Sequence, residues 1–321
     1  MSKPWQTADI PSLTGKRVLI TGANSGIGYF AALKLARKGA HVLLACRDPK
    51  RGEDALNRLQ SDSPGTNAEL VILDLASLAS VRSFAAGELA LKRPLHLLIN
   101  NAGVMAPPKR VETADGFELQ FGTNVLGHFA LTGLLLPALD MAAAASSEPP
   151  RIVTIASIAH KGGKINFDDL QSAKSYSPRG AYQQSKLANL MLAFELDRRL
   201  RAAHSRILSI AAHPGVASTN IFRTGNYSAF ERTIRNVAAH AIASLLNTDA
   251  EGALPTLYAA TSPDAVTGGY YGPQSLMETR GHIVGSAKVA PQARDQAAAA
   301  RLWAVSQDLT GVRYLSEPAA S

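Results

Sequence analysis

Residues 17–20 are a short β-branched and leucine run that stops at Thr21-Gly22-Ala23-Asn24-Ser25-Gly26-Ile27-Gly28, and a helical pattern over 30–38 follows at once. No other stretch limits the fold as strongly, because a glycine-rich turn between strand and helix presents the helix N-terminus to an anion. Gly22 permits the tight turn, Gly26 lets backbone approach a pyrophosphate, and Gly28 lets helix and strand pack closely.

The rest of the chain repeats the unit. Apolar runs predict strands over 41–45, 69–73, 95–99, 151–155, 206–211 and 269–271, separated by helical patterns over 50–59, 78–91, 113–142, 182–203 and 250–260, with a last helix over 291–309. Such regular alternation predicts an α/β fold, a single doubly wound (Rossmann) parallel sheet of about seven strands flanked by helices. The expected organisation is an extended arm over 1–14, one domain over 15–312 and a tail over 313–321. Within the domain, residues 220–247 read as a lid carrying Phe222, Tyr227 and Phe230, and 158–178 as a long loop of the kind that serves function.

Composition narrows the function classes. Of 321 residues 46% are apolar and 18% charged, as in soluble globular enzymes. The excess of 33 Lys+Arg over 25 Asp+Glu suits anionic ligands, but no basic cluster interleaved with aromatics suggests nucleic acid. Cys46 is the single cysteine, which excludes an internal disulfide and a multi-cysteine metal site, so no metal is expected and the reducing cytoplasm is the expected home. The N-terminus lacks the apolar core of a secretory signal. The uncharged run 119–139 holds Gln120, Asn124, His128, three glycines and Pro137, so it reads as a buried helix and not a membrane span.

Polar residues then fall at strand ends. The second strand ends in Cys46-Arg47-Asp48; an acidic side chain there favours NAD, whereas the Arg47 guanidinium holds a 2′-phosphate and favours NADP, with Asp48 on the ribose as the alternative. Asp74-Leu75 caps the next helix, meets an adenine amino group, or does both. Asn100-Asn101-Ala102-Gly103 offers amides and small residues where cofactor passes closely. Asn124, near Gly127 and His128, is a poor helix former that needs a reason, either a local carbonyl or a water. Ser157, at the end of the fifth strand, reads by itself as a turn cap. Tyr182 and Lys186 lie one helical turn apart on one face. A phenol ionises near ~10, and bringing it down by about three units takes roughly 4 kcal/mol. A close cation in a water-poor site, helped by a second positive centre such as an oxidised nicotinamide, supplies that. Alone, such a pair more often means a ring on the core and a snorkelling amine.

With these residues collected, the sequence resembles the short-chain dehydrogenase/reductase family, and within it the retinol-dehydrogenase-like and WW-domain-oxidoreductase-like branch. The resemblance covers about residues 14–309 and rests on TGANSGIG, DL, NNAG, the helix asparagine, the strand-end serine, YxxxK and PG in order. LLACRD, RIVTIASIAH, AYQQSKLAN, HPGVASTN and GGYYGP carry the branch. It implies hydride transfer between nicotinamide and a carbonyl or alcohol, with Tyr182 as proton donor and Lys186 lowering its pKa and holding the nicotinamide ribose. Ser157 would hydrogen-bond the substrate oxygen, and Asn124 would fix a water that refills the proton through Lys186. Gly22, Asn24, Ser25, Gly26, Ile27, Gly28, Arg47, Asp74, Leu75, Asn101, Ala102 and Gly103 would hold NADP(H), in preference to NAD(H). Pro214, Gly215, Val216 and Thr219 would meet the carboxamide and phosphates. Phe222, Tyr227, Phe230 and Leu276-Met277 suggest an apolar small-molecule substrate. The alternative is a cofactor-occupied sensor with a vestigial site. The helices holding Asn124 and Tyr182 are candidate homodimer faces, unless the chain's own insertions cover them.

Overall fold

Residues Arg17–Thr21 (β1) and His41–Cys46 (β2) are near-continuous apolar runs, and β1 is buried at every position. That is how strands read when both faces of a parallel sheet are covered. The structure, a computed structural model, describes residues 4–216 and 247–315. Its further strands are β3 (Ala68–Ile72), β4 (Leu97–Asn100), β5 (Arg151–Ile155), β6 (Leu208–Ala212), β7 (Tyr270–Pro273) and β8 (Val284–Ser286). One sheet holds them in the order β3-β2-β1-β4-β5-β6-β7-β8, parallel except for the β7–β8 pair. The doubly wound sheet is as expected, with one strand more. That strand, VGS, is too short and glycine-bearing to show alternation.

Helices cover both faces: α1 (Gly26–Ala36), α2 (Pro49–Asp62), α3 (Leu78–Ala90), α4 (Leu119–Phe121), α5 (Gly127–Ala145), α6 (Pro178–Ala202), α7 (Asp249–Gly252), α8 (Leu254–Thr261) and α9 (Gln296–Thr310). The period of two along β1 divides the core. Leu19 joins Leu43, Leu98 and the residues of α5, α6 and α9 on one side, while Val18 and Ile20 join α1 and α8 on the other. Asp48, Ser77, Ser177 and Asp295 cap α2, α3, α6 and α9, with Pro49 and Pro178 in the first turn of theirs.

Three departures from the sequence reading have physical reasons. The helix expected over 113–142 starts at Leu119, because both oxygens of the Glu118 carboxylate accept backbone N–H groups, from Gln120 (3.0 Å) and Phe121 (2.7 Å). It then widens into a π-turn, Gly122–Leu126, before α5. The whole stretch Leu119–Ala145 is long and apolar enough to cross a membrane, yet 72% of its apolar window is buried as a core helix. The arm expected to be extended contains a 3-10 turn, Thr7–Asp9, and buries Ile10 and Leu13. Asp74 does not cap α3; Ser77 does, and the Asp74 carboxylate accepts from Ala76 N–H instead. Thr219, Phe222, Tyr227, Phe230 and nearly all of the expected lid over 220–247 lie outside the described residues.

The carboxyl-terminal segment closes the α5–α6 side. Trp303 of α9 meets Phe129 edge-on at 4.9 Å, Tyr314 meets Phe129 at 4.8 Å, and the Arg199 guanidinium stacks 4.7 Å from the Trp303 ring. Gly133 leaves room for the Tyr314 ring.

Candidate active site

The strand order reverses between β1 and β4, so their carboxyl ends diverge and open a crevice. A cavity of ≈ 390 Å³ lies there. Gly22 and Gly26 take left-handed backbone, with φ +67° and +59°, which glycine adopts without strain. A Cβ on Gly22 would stand 3.0 Å from the Ala102 Cα, and one on Gly28 would stand 2.5 Å from the Asn101 amide and 2.6 Å from Gly22 O. The roles read for Gly22 and Gly28 thus have a steric basis. Ser25, at the N-cap of α1, makes no side-chain capping bond. The first N–H groups of α1 therefore remain available to an anion at the positive end of the helix dipole. A glycine cradle beneath an uncapped helix end fits a dinucleotide pyrophosphate.

The structure brings the expected residues together. Gly22, Asn24, Ser25, Gly26, Ile27, Gly28, Arg47, Asp74, Leu75, Asn101, Ala102, Gly103, Ser157, Tyr182, Lys186, Pro214, Gly215 and Val216 all line this cavity. Asn124 does not; it is fully buried behind the wall. Its amide accepts from Val104 N–H (2.8 Å) and donates to Val104 O and the Ser185 hydroxyl (both 3.0 Å). The side chain therefore clamps a backbone segment distant in sequence, where the reading from residues looked for a local carbonyl or a water. Ser157 is the turn cap that its residue type suggested. Its Oγ accepts from Ala159 N–H at the start of a 3-10 turn, and the residue lines the same cavity as Tyr182.

The electrostatics run against the simple expectation for Tyr182. Desolvation pushes its phenol up to about 12, and the Ser157 hydrogen bond is what opposes that. Burial brings Lys186 down to about 8. Its Nζ donates to Ile155 O (2.9 Å) and lies 5.9 Å from the Tyr182 ring centre. A phenol in this surrounding needs further positive charge before it ionises near neutrality.

At the adenosine end the cavity is lined by Arg47, Asp48 and Arg51. Asp48 Oδ1 accepts from Arg51 N–H (3.0 Å) as the cap of α2, so one carboxylate oxygen is committed to the helix. Sequence reasoning missed Arg51, although the Asp48-Pro49 helix start fixes it in the first turn. It also missed Thr21, whose Oγ1 accepts from Asn101 and Ala102 N–H (both 2.9 Å) and so shapes the cavity floor. Thr123, Val104, Met105 and Ile158 also line it, whereas Met277 is exposed and outside it. Burial pushes the Cys46 thiol up to about 11. Among the described residues no cluster of His, Cys, Asp and Glu could hold a metal.

A doubly wound sheet whose glycine turn, strand-end serine and tyrosine–lysine helix share one crevice defines a dinucleotide-dependent oxidoreductase class. The short chain dehydrogenase model matches residues 16–228, and the chain belongs to that family. It is 41% identical over 310 residues to retinol dehydrogenase 14 of Mus musculus, covering 93% of this chain and 86% of the relative. It is 40% identical to polyprenol dehydrogenase of Mus musculus, covering 94% and 86%. Among solved structures, an uncharacterized protein from Mycobacterium paratuberculosis superposes with a TM-score of 0.76 at 40% identity, over 97% of this chain and 99% of that one. RhlG of Pseudomonas aeruginosa in its NADP complex (0.61, 28%, covering 81% and 94%) and a 3-ketoacyl-(acyl-carrier-protein) reductase of Brucella melitensis with NADH (0.60, 25%, covering 81% and 96%) share the fold. Family membership therefore leaves the choice between the two cofactors to local residues.

Proposed function

We propose that the chain is an NADP-dependent reductase or dehydrogenase acting on an apolar aldehyde, ketone or secondary alcohol in the cytoplasm, with Tyr182 as its general acid and base. The observation that carries this reading is that Ser157, Tyr182 and Lys186 line one cavity with the glycine cradle, Lys186 one helical turn from Tyr182. Ser157 orients the phenol and donates to a substrate oxygen as charge develops on it. Tyr182 gives its proton to that oxygen in reduction and takes it back in oxidation. Lys186, held by Ile155 O, supplies the ammonium that replenishes the proton. Bound nicotinamide supplies or accepts the hydride.

Arg47 and Arg51 support NADP, since two exposed guanidiniums at the adenosine end match a 2′-phosphate while the nearby carboxylate caps α2. Val104, Met105, Ile155 and Ile158 give the cavity apolar walls, in keeping with the retinol and polyprenol named for the relatives.

The test is a fluorescence titration with NADPH and NADH, followed by all-trans-retinal, decanal and a quinone with the tighter cofactor, using Tyr182→Phe as blank. Tighter NADPH binding with turnover that vanishes in Tyr182→Phe is expected. Arg47→Asp should weaken NADPH more than NADH. Turnover that survives in Tyr182→Phe removes the tyrosine from its role, and tight binding without turnover on any carbonyl moves weight to the sensor.

A further inference from the structure

From the π-turn into α5, three polar residues recur every four positions: Asn124, His128 and Thr132, 0%, 5% and 3% exposed. All face the strand ends. Thr132 Oγ1 accepts from the Asn100 amide (3.0 Å), and Asn124 clamps Val104. His128 stands between, with Nδ1 3.0 Å from the main-chain oxygen of Asn124 and Nε2 2.8 Å from the Thr21 hydroxyl.

Hydrogen-bond chemistry leaves one arrangement. A carbonyl oxygen can only accept, so Nδ1 carries the proton. Nε2 then presents a lone pair, to which the Thr21 hydroxyl donates at 2.8 Å in preference to Ile99 O at 3.4 Å. Thr21 Oγ1 is left with two lone pairs, which accept the N–H groups of Asn101 and Ala102. The chain from Asn124 O to the Asn101-Ala102 turn is thus continuous and fully satisfied. A second proton on the ring would set Nε2–H against a hydroxyl with no lone pair to spare; burial and the charge of Lys186 also disfavour it.

We propose that His128 is a positioning residue that ties the cofactor floor at Asn101-Ala102 to the helical turn that aims Asn124 at Val104. A π-turn offsets the helix faces before and after it, so these two parts are not held in register by regular helix geometry. The neutral imidazole holds them. The inference deepens the oxidoreductase reading and rests on it, since the floor matters only if a dinucleotide passes over it.

Each half of the ring has a substitute. In His128→Asn the amide nitrogen takes the place of Nδ1 and can still donate to Asn124 O. In His128→Gln the amide oxygen reaches the place of Nε2 and can still accept from Thr21. His128→Phe should raise the NADPH dissociation constant and lower the single-turnover rate, each about tenfold, as expected for stranded buried hydrogen-bonding groups. Gln should restore NADPH affinity and Asn the rate. The wild-type imidazole ¹⁵N–¹H spectrum should show a neutral Nδ1–H tautomer that does not titrate from pH 5.5 to 9. An Nε2–H tautomer overturns the proposal, as do Asn and Gln variants that match each other in both readouts. Should the Phe variant fail to fold, the Asn and Gln pair and the spectrum still decide. Wild-type protein that binds neither NADPH nor NADH overturns the underlying reading, whereas normal wild-type binding and turnover with indifferent His128 variants removes the positioning role alone.

Discussion

Ser157 is the residue on which the acid–base chemistry turns, because within the described site it is the group that opposes the desolvation of Tyr182. Ser157→Ala therefore removes both a donor to the substrate oxygen and the brake on the phenol. The rate constant kcat should fall about a hundredfold, with the NADPH dissociation constant within twofold of wild type; a change in KM alone would make the residue a binding group. Two buried histidines set a different pH dependence. His128 and His213 are both held down to about 4 by burial, against an unfolded value near ~6.5. Between these values the unfolded chain binds more protons than the native one, so stability is full above pH ~6.5 and falls as pH drops towards ~4. Each ring accounts for about 3 kcal/mol over that window, with no further loss from them below it. Urea unfolding at pH 7, 5.5 and 4.5 should show the decline, with part of it removed in His128→Gln.

Elements differ in how far the sequence disclosed them. The glycine turn and, to within a residue, the start of α2 were legible, because each depends on neighbours within a few residues, whereas α6 begins at Pro178, inside the stretch read as loop, on a Ser177 cap that the apolar pattern does not mark. The same holds for Tyr182 and Lys186, which one helix aligns. Thr21 and His128 meet across 107 positions, and nothing in either neighbourhood announces the other. The π-turn lies between the Glu118 cap and the contact of Asn124 with Val104, neither of which the apolar pattern of 113–142 encodes. Arg51 reaches the cavity only because the Asp48-Pro49 start turns α2 back towards it, which strand-end residues alone do not signal. The last helix was readable but its seat was not. Trp303, 1% exposed, fixes α9 on Phe129 and Arg199. Trp303→Ala should cost about 3–5 kcal/mol, read as a lowered urea midpoint.

For the whole molecule, the position of α9 bears on assembly. The outward sides of α5 and α6 were the candidate homodimer faces, and Trp303, Tyr314 and the Arg82–Thr310 hydrogen bond (2.5 Å) now cover part of that side. Light scattering should accordingly return a 33.9 kDa monomer; a stable dimer would have to use a different surface or displace α9. A last consequence comes from the two ends of the interval 217–246. Asn247 N–H donates to Val216 O (2.9 Å), its amide donates to Pro214 O (3.0 Å), and Val216 N–H donates to Thr279 O (2.7 Å). The chain thus leaves the sheet and returns to it at one knot beside the cavity. The cavity edge at Pro214 and Val216 is therefore braced from two distant parts of the chain, Asn247 and Thr279, and Asn247→Ala would loosen that edge while leaving the sheet intact.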